Sequence, residues 1–481
     1  MRFKKVLLIN LPVKGAYLGT YRVLAGLGYL SECLSFQGID NIVIDVGLGY
    51  SLRQVEKKIR EWGPDLIGIS MLTFGYKHNY LKINELKKNF PNIPIVVGGP
   101  HVSLLREKTL AECEGIDFGV VLEGEYILLE LCEGKKVAKI AGLIYRDDAE
   151  IIYNGDRPFI EELDKIPFPR YEKFELHKYI REIPIITSRG CPFQCTYCAV
   201  RNVIGNRFRA RSASNVVDEM EYWYHRGYRQ FNFLDDNFTL IKRRVYEICD
   251  GIKKRGLKNL FLQCSNGVRA DRVDRELLER MKDIGFRSLA FGVESGNDRI
   301  LKRMKKAESV QTIEKAIKNA CELEYDVALF FVVGTPGETI QEVLDSIRIA
   351  QKYPVMKVNF YNLVPYPRTE LFDQIQEKGG FLQQPEEYLN NASPYSDKPI
   401  FETQEFSLKD KEKIFIILRR IERTVMRKWI YGKLRPYVSY VAYPLSYIFV
   451  TPLVQKLLFN NRLFRKALED SRFWIYTRLS R

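Results

Sequence analysis

Short apolar runs alternate with segments of helical period, and this rhythm constrains the fold of the 481-residue chain more than any other feature. In the first third the runs are VLLIN (6–10), NIVIDV (41–46), LIGIS (66–70), IPIVVGG (93–99) and DFGVVLEG (117–124). Between them, Val23–Gln37, Leu52–Trp62, Tyr76–Phe90 and Val102–Glu112 carry helical spacing. Strands apolar on both faces, each followed by a helix, predict an α/β doubly wound parallel sheet. Such sheets bind ligands outside the carboxyl ends of their strands. At those ends stand LPVKGAYLGTY after the first strand, Ser70 and Thr73 after the third, Gly98, Gly99 and His101 after the fourth, and Glu123, Gly124 and Glu125 after the fifth. Glycine there lets a backbone approach a bulky ligand. No G-x-G-x-x-G follows the first strand, which argues against NAD or FAD.

Residues 138–182 read as a connector: a hairpin turning at Asp147–Asp148, then a proline-bearing linker, LDKIPFPRYEKF. Alternation then resumes. Strands are expected at Ile183–Thr187, Gln230–Leu234, Leu260–Ser265, Ser288–Gly292, Val327–Val332 and Val358–Asn362. Helices are expected at Ala213–Arg226, Arg243–Lys254, Val273–Ile284, Val310–Leu323 and Thr339–Lys352. Six such units predict a partial (β/α)6 TIM-type barrel, with chemistry in the loops after its strands. The expected division is 1–137, 138–182, 183–400 and a basic helical tail, 401–481.

In the loop after the first barrel strand lies RGCPFQCTYC (189–198), which holds three of the nine cysteines. Structural zinc needs four nitrogen or sulfur ligands, and no fourth is paired nearby. A disulfide would leave a spare thiol and suits an oxidising compartment. Cys249 and Cys321 fall in expected helices and Cys264 on a strand, where they suit core packing. Three cysteines holding an iron–sulfur cube would leave one iron open to a substrate or cofactor.

Cys191, Cys195 and Cys198, with Tyr197 before the last, resemble the C-x3-C-x2-C motif of the radical S-adenosylmethionine (SAM) enzymes. FNFLDDNFT (231–239), FGVESGNDRILKRMKK (291–306) and FFVVGTPGET (330–339) are similar to later strand-end motifs of that superfamily. The first third, with VVGGPH and LEGE, resembles the Rossmann-like cobalamin-binding domain often fused ahead of it. The likeness covers about residues 1–400 and points to the class containing anaerobic magnesium-protoporphyrin cyclase and the hopanoid methylases. It implies that the three cysteines hold a [4Fe–4S] cluster whose fourth iron binds SAM. Tyr197 would lie against the adenine, Asp235, Asp236 and Asn237 near the methionine, Glu294 near the ribose or amine, and Gly334 and Pro336 near the adenine. Asp236 has a competing explanation as a helix cap. Reductive cleavage of SAM would give a 5′-deoxyadenosyl radical, drawing its electron from a partner such as ferredoxin or flavodoxin. Ser70, Gly98, Gly99, His101, Glu123, Gly124 and Glu125 would line the cobalamin site. The D-x-H-x-x-G cobalt-ligand motif is missing, and His101 alone stands near that edge.

The chain carries a net charge of +15, and residues 401–481 hold 17 Lys+Arg against 7 Asp+Glu, a surplus of 17 − 7 = 10. Within them Tyr437–Gln455 runs uncharged for 19 residues, with two prolines and four tyrosines. That composition suits a contact in the membrane interface better than a span; a buried helical pair is the alternative. The segment following Phe406 reads as a basic amphipathic helix capped by Ser407. The expected function is cobalamin-dependent C-methylation of a lipid-like or hydrophobic small molecule, with cobalamin-assisted oxidation or cyclisation as the alternative. An RNA methylthiotransferase would want a second cysteine triplet near the N-terminus, and a non-catalytic cluster or cobalamin sensor would not need the barrel motifs. No nucleic-acid partner is expected. The first apolar run, VLLI, is shorter than the roughly 7–15 residues of a signal peptide, so a cytoplasmic location is expected, peripheral at the inner face of the membrane.

Overall fold

The two alternating regions become two sheets in the computed structural model, which describes residues 3–11, 22–391, 396–455 and 467. Most of the loop after the first strand (12–21) and nearly all of the tail beyond Gln455 lie outside the described residues.

The first sheet takes β1 (Lys5–Asn10), β2 (Asp40–Asp45), β3 (Leu66–Ser70), β4 (Ile95–Gly98), β5 (Phe118–Val120), β6 (Leu143–Asp147) and β7 (Glu150–Tyr153), in spatial order β2-β1-β3-β4-β5-β6-β7. The first five strands pair in parallel. Leu7, Ile9, Ile67, Ile69 and Val97 are buried on one face, and Val6, Leu8, Leu66 and Val96 on the other. Burial of both faces is why these strands read as unbroken apolar runs. Helices α1 (Ala25–Phe36), α2 (Leu52–Trp62), α3 (Tyr76–Asn89), α4 (Pro100–Leu105), α5 (Glu107–Glu112) and α6 (Glu125–Glu133) cover it. One expected helix, 102–112, is thus two, broken where Arg106 takes a left-handed φ of 51°. The hairpin read as connector belongs to this sheet: β6 pairs antiparallel with β5, Val120 opposite Leu143, and so covers an edge that would otherwise be open.

The second sheet joins β8 (Glu182–Ile185), β11 (Gln230–Phe233), β12 (Phe261–Val268), β13 (Phe286–Glu294), β14 (Asp326–Val333) and β15 (Lys357–Asn362), all parallel and in sequence order. Between β8 and β11, a two-residue ribbon pairs β9 (Ser188–Arg189) with β10 (Arg209–Ala210). Helices α7 (Val200–Val203), α8 (Ala213–His225), α9 (Lys242–Lys254), α10 (Arg275–Asp283), α11 (Asp298–Arg303), α12 (Val310–Glu322) and α13 (Ile340–Lys352) complete the partial barrel. Beyond it come α14 (Glu370–Glu377), α15 (Pro385–Asn391), α16 (Leu408–Leu434) and α17 (Ser439–Val450).

The basic helix expected in the tail is part of the fold. Ser407 caps α16, accepting from Asp410 N, and Ile414, Phe415, Leu418 and Val425 are buried. Glu422 accepts from the amide of Phe360 at 2.7 Å and Arg419 donates to its carbonyl at 3.1 Å, so α16 supplies partners to the edge strand β15. No helix among the described residues is long and apolar enough to cross a membrane.

The two sheets share one hydrophobic cluster. Tyr171, in the linker between them, lies so close to α1 that a Cβ on Gly28 would stand 2.2 Å from its ring, so only glycine fits there. Arg22 pairs with Glu182 at 2.6 Å, and Asn390 accepts from the amides of Gly75 and Lys77 at 2.8 and 3.0 Å. These contacts hold the two sheets together, and their carboxyl edges meet at a shared cavity.

Candidate active site between the two sheets

The cysteine loop is tied at both ends. Arg189 pairs with Arg209 across the ribbon, and Cys191 N donates to Gly205 O at 3.2 Å. Gly190 has φ 86°, and a Cβ there would meet Arg207 O at 2.2 Å, so the turn into the first cysteine demands glycine. Thr196 N bonds Met304 O at 3.0 Å, and Cys198 N bonds Cys195 O at 3.2 Å. All three loop cysteines are half-buried, whereas Cys33, Cys113, Cys132, Cys249 and Cys264 are fully buried. No group of three or more His, Cys, Asp or Glu among the described residues converges on a single metal ion. A cube spreads its three cysteines over three irons, so its ligands need not converge as zinc ligands do. Without metal, burial pushes the Cys198 thiol up to about 12.

The acidic stretch after β11 divides its labour. Asp235 is buried and accepts from Thr187 N at 2.7 Å, Ser188 N at 2.6 Å and Thr187 Oγ1 at 2.7 Å. It fastens the end of β8 to the end of β11, so it is a structural anchor rather than a free ligand group. Among the described residues Asp236 has no hydrogen-bond or ion-pair partner, and it faces a cavity; burial first, then the charge of Asp235, pushes its carboxyl up to about 6. Asn237 is 1% exposed, and neither side-chain polar atom has a partner among the described residues.

Glu294 ends β13 with a left-handed φ of 62° and pairs with buried Lys306 at 3.1 Å. Lys306 also faces Glu308 at 3.4 Å, while Arg269 donates to Lys306 O at 3.0 Å and lies 3.5 Å over the Phe193 ring inside the cysteine loop. Sequence reasoning gave Lys306, Arg269 and Glu308 no role; Arg269 stands alone just past β12, and Lys306 and Glu308 follow α11, so no shared motif joins them. Burial pushes the Tyr197 phenol well above its usual value, with the charge of Glu294 next. At the end of β14, Gly334 has φ 101°. Glu338 accepts from Gly334 N at 2.7 Å and Thr335 N at 3.2 Å, while burial pushes its carboxyl up to about 7. A Cβ on Gly334 would stand 3.0 Å from Lys411 Nζ, so α16 reaches beneath this loop. Burial pushes the Lys411 amine down to about 8. Pro336 offers its carbonyl to Arg303 at 3.1 Å.

A cavity of about 430 Å³ joins the two sheets. From the first sheet Gly68, Ser70, Gly98, Gly99 and Gly124 line it; from the second, Ser188, Leu234, Asp236 and Asn266. Glu123 and Glu125 also line it, but as ion-pair partners: Arg189 binds them at 3.0 and 2.6 Å, and Arg209 binds Glu123 at 2.8 Å. His101 does not line it. Its Nε2 bonds the Tyr80 hydroxyl at 2.7 Å, its ring stacks on Tyr76, and burial holds its pKa down at about 3. The expectation that His101 contacts cobalamin is corrected: the first turn of α4 carries its side chain into the core beneath α3. A glycine-lined, largely aliphatic cleft suits a bulky ring with a long appendage better than a small polar ligand.

A partial barrel carrying three half-buried cysteines on one loop shares a cavity with a Rossmann-like sheet, an arrangement that suits an iron–sulfur cluster beside a second large cofactor. Residues 185–350 match the radical SAM superfamily, and residues 18–132 match the B12 binding domain. The chain is 31% identical over 385 residues to an uncharacterized methyltransferase of Pyrococcus horikoshii, covering 78% of this chain and 83% of the relative. It is 27% identical over 372 residues to the anaerobic magnesium-protoporphyrin IX monomethyl ester cyclase of Cereibacter sphaeroides, covering 74% of this chain and 60% of the relative. The cobalamin-dependent SAM radical enzyme OxsB, solved with aqua-cobalamin and SAM bound, shares the fold with a TM-score of 0.74 at 18% identity, covering 93% of this chain and 70% of that one. The chain belongs to the cobalamin-binding radical SAM enzymes, and its cofactors are a [4Fe–4S] cluster, SAM and cobalamin.

Proposed function

We propose that the enzyme methylates an unactivated carbon of a hydrophobic, lipid-like small molecule. One observation carries the reading: a single cavity is lined both by the glycine edge of the first sheet and by Asp236 beside the cysteine loop. In this family, the bound cofactors supply an electron for SAM cleavage and a methyl group for transfer. This chain's residues bind, orient and exclude water. Cys191, Cys195 and Cys198 hold the cluster. Asp236 and Asn237, the acidic and amide groups after β11 that no donor among the described residues engages, meet the methionine end, where a carboxylate and an amide oxygen suit an ammonium. Tyr197, Glu294, Gly334 and Pro336 surround the nucleoside, with Lys306 fixing the Glu294 carboxylate. Gly68, Gly98 and Gly99 leave room for the corrin's appendage. A hydrophobic substrate suits the aliphatic walls contributed by Leu234, Ile186 and Ile204. Ferredoxin or flavodoxin would supply electrons, and the enzyme would work at the inner face of a membrane. Radical oxidation or cyclisation is the second reading, favoured by the cyclase relative.

The test uses methyl-labelled SAM, reductant and a cellular lipid extract with the reconstituted enzyme. Label in an extractable product, absent with Cys195→Ala, is expected. Formation of 5′-deoxyadenosine with no label transfer would overturn methylation in favour of the second reading.

A further inference from the structure

We propose that α17 and the second half of α16 form a docking surface for an anionic lipid bilayer. The helix α17 packs the wrong way round for a helix facing water. Its inward positions are small or medium, Ala442, Ser446 and Val450, spaced four apart and buried. Its large side chains point out: Tyr440 is 98% exposed, Tyr443 54%, Ile448 51% and Val441 48%. A surface helix ordinarily buries its large apolar stripe and shows polar residues. A contiguous exposed apolar face marks a partner.

The charge around that face selects the partner. Residues 423–455 contain five Lys or Arg and no Asp or Glu; Lys433 turns to Asp326 of the barrel at 3.5 Å, which leaves Arg423, Arg427, Lys428 and Arg435. Arg427 reaches the face itself, its guanidinium 4.3 Å over the Tyr447 ring and 5.6 Å over Tyr443. Tyrosine rings beside basic groups are what the headgroup layer of an anionic bilayer favours. A second copy fits poorly, because a two-fold contact would oppose the same cations with no carboxylate between them. The chain's own last segment fits poorly as well: residues 456–481 hold seven Lys or Arg against two Asp or Glu. Since no described helix spans a bilayer, α17 lies along the interface. This inference does not depend on which reaction the enzyme performs.

Truncating the tail would be a poor test, because α16 covers β15. Substitution on α17 leaves that packing alone. The full-length reconstituted enzyme is sedimented with vesicles of phosphatidylcholine alone or mixed with phosphatidylglycerol. Binding to the mixed vesicles, weakened by salt and reduced about tenfold or more by Tyr440→Asp with Ile448→Asp, is expected. Iron content and unfolding midpoint of that variant should match the parent. Equal binding by the variant, no binding to either vesicle, a dimer that the variant dissociates, or binding that appears only after residues 456–481 are removed would each overturn the proposal.

Discussion

The carboxyl edges of the two sheets face one another, yet they are built from opposite materials. The first presents Gly68, Ser70, Gly98 and Gly99 among aliphatic side chains. The second presents buried charge: Asp235, Glu294, Lys306 and Arg269, most of it engaged by protein partners. A glycine edge holds a ligand by shape, since it offers backbone and space rather than side-chain donors. A charged edge holds its ligand by orientation, since pre-set ion pairs in a low-dielectric site cost nothing to arrange when the ligand binds. On the proposed assignment, cobalamin at the first edge and the cluster with SAM at the second are bound by separable means, and Arg189 joins the two edges physically. If so, damage to one edge should spare the other.

The largest effect is expected from Cys195→Ala. The iron–sulfide absorbance and all SAM cleavage should fall to background, while cobalamin retained on purification stays within about twofold of the parent. Loss of the cluster and cobalamin together would break the comparison.

Arg189→Met strikes the join. Glu123 keeps Arg209, but Glu125, 6% exposed, loses its ion pair. An uncompensated buried carboxylate costs about 3–5 kcal/mol, so the denaturant midpoint should drop by a corresponding amount. Adding Glu125→Gln should return most of the loss; if it does not, Arg189 matters for packing rather than charge.

The fold was legible because both sheets are buried on both faces. Apolar strands and amphipathic helices then alternate with little ambiguity, and Leu52–Trp62 was read to the residue. What escaped were features fixed by neighbours far away in the chain. Nothing within 143–153 says that its hairpin will close the edge of a parallel sheet. Nothing within 408–434 distinguishes a helix that covers β15 from one that faces lipid, since both need one apolar stripe. At the site, the cysteine spacing was informative because three ligands sit on one loop. Arg269 and Lys306 are single residues on different loops, and only folding brings them together. His101 misled because helix phase after a glycine turn decides which way it points. Asp235 and Asp236 are adjacent and identical in type, and only their environments separate an anchor from a group open to the cavity.

Glu338 sharpens the comparison through pH. Its buried carboxyl sits at about 7 when folded, above its usual value when unfolded. The folded state therefore binds this proton more tightly. The stability it confers is complete below about pH 4.5 and is lost as pH rises through about 7, by on the order of 3 kcal/mol. Glu338→Gln keeps an acceptor for Gly334 N and Thr335 N but cannot ionise. It should flatten the fall in unfolding midpoint between pH 5 and 8, with no change in cobalamin retention. An unchanged pH profile would show that the loop tolerates the charge.

The smallest effect is expected at the glycine edge. A Cβ on Gly98 would meet Val120 Cβ at 3.5 Å, an ordinary contact, so a side chain there need not disturb β4. Because Gly98 lines the cavity, a longer chain would take space from the ligand instead. Gly98→Leu should weaken cobalamin binding about tenfold, near the low end of the roughly 1–3 kcal/mol cost of overpacking a close-fitting site. Gly98→Ala should cost less than half of that in free energy. Iron content and SAM cleavage without substrate should not change in either variant, because the charged edge makes no use of this glycine. A graded loss of cobalamin with constant iron supports binding by shape at one edge and by charge at the other. A parallel fall in iron would mean that the cysteine loop reads the occupancy of the first sheet, with the Arg189 pairs as the route.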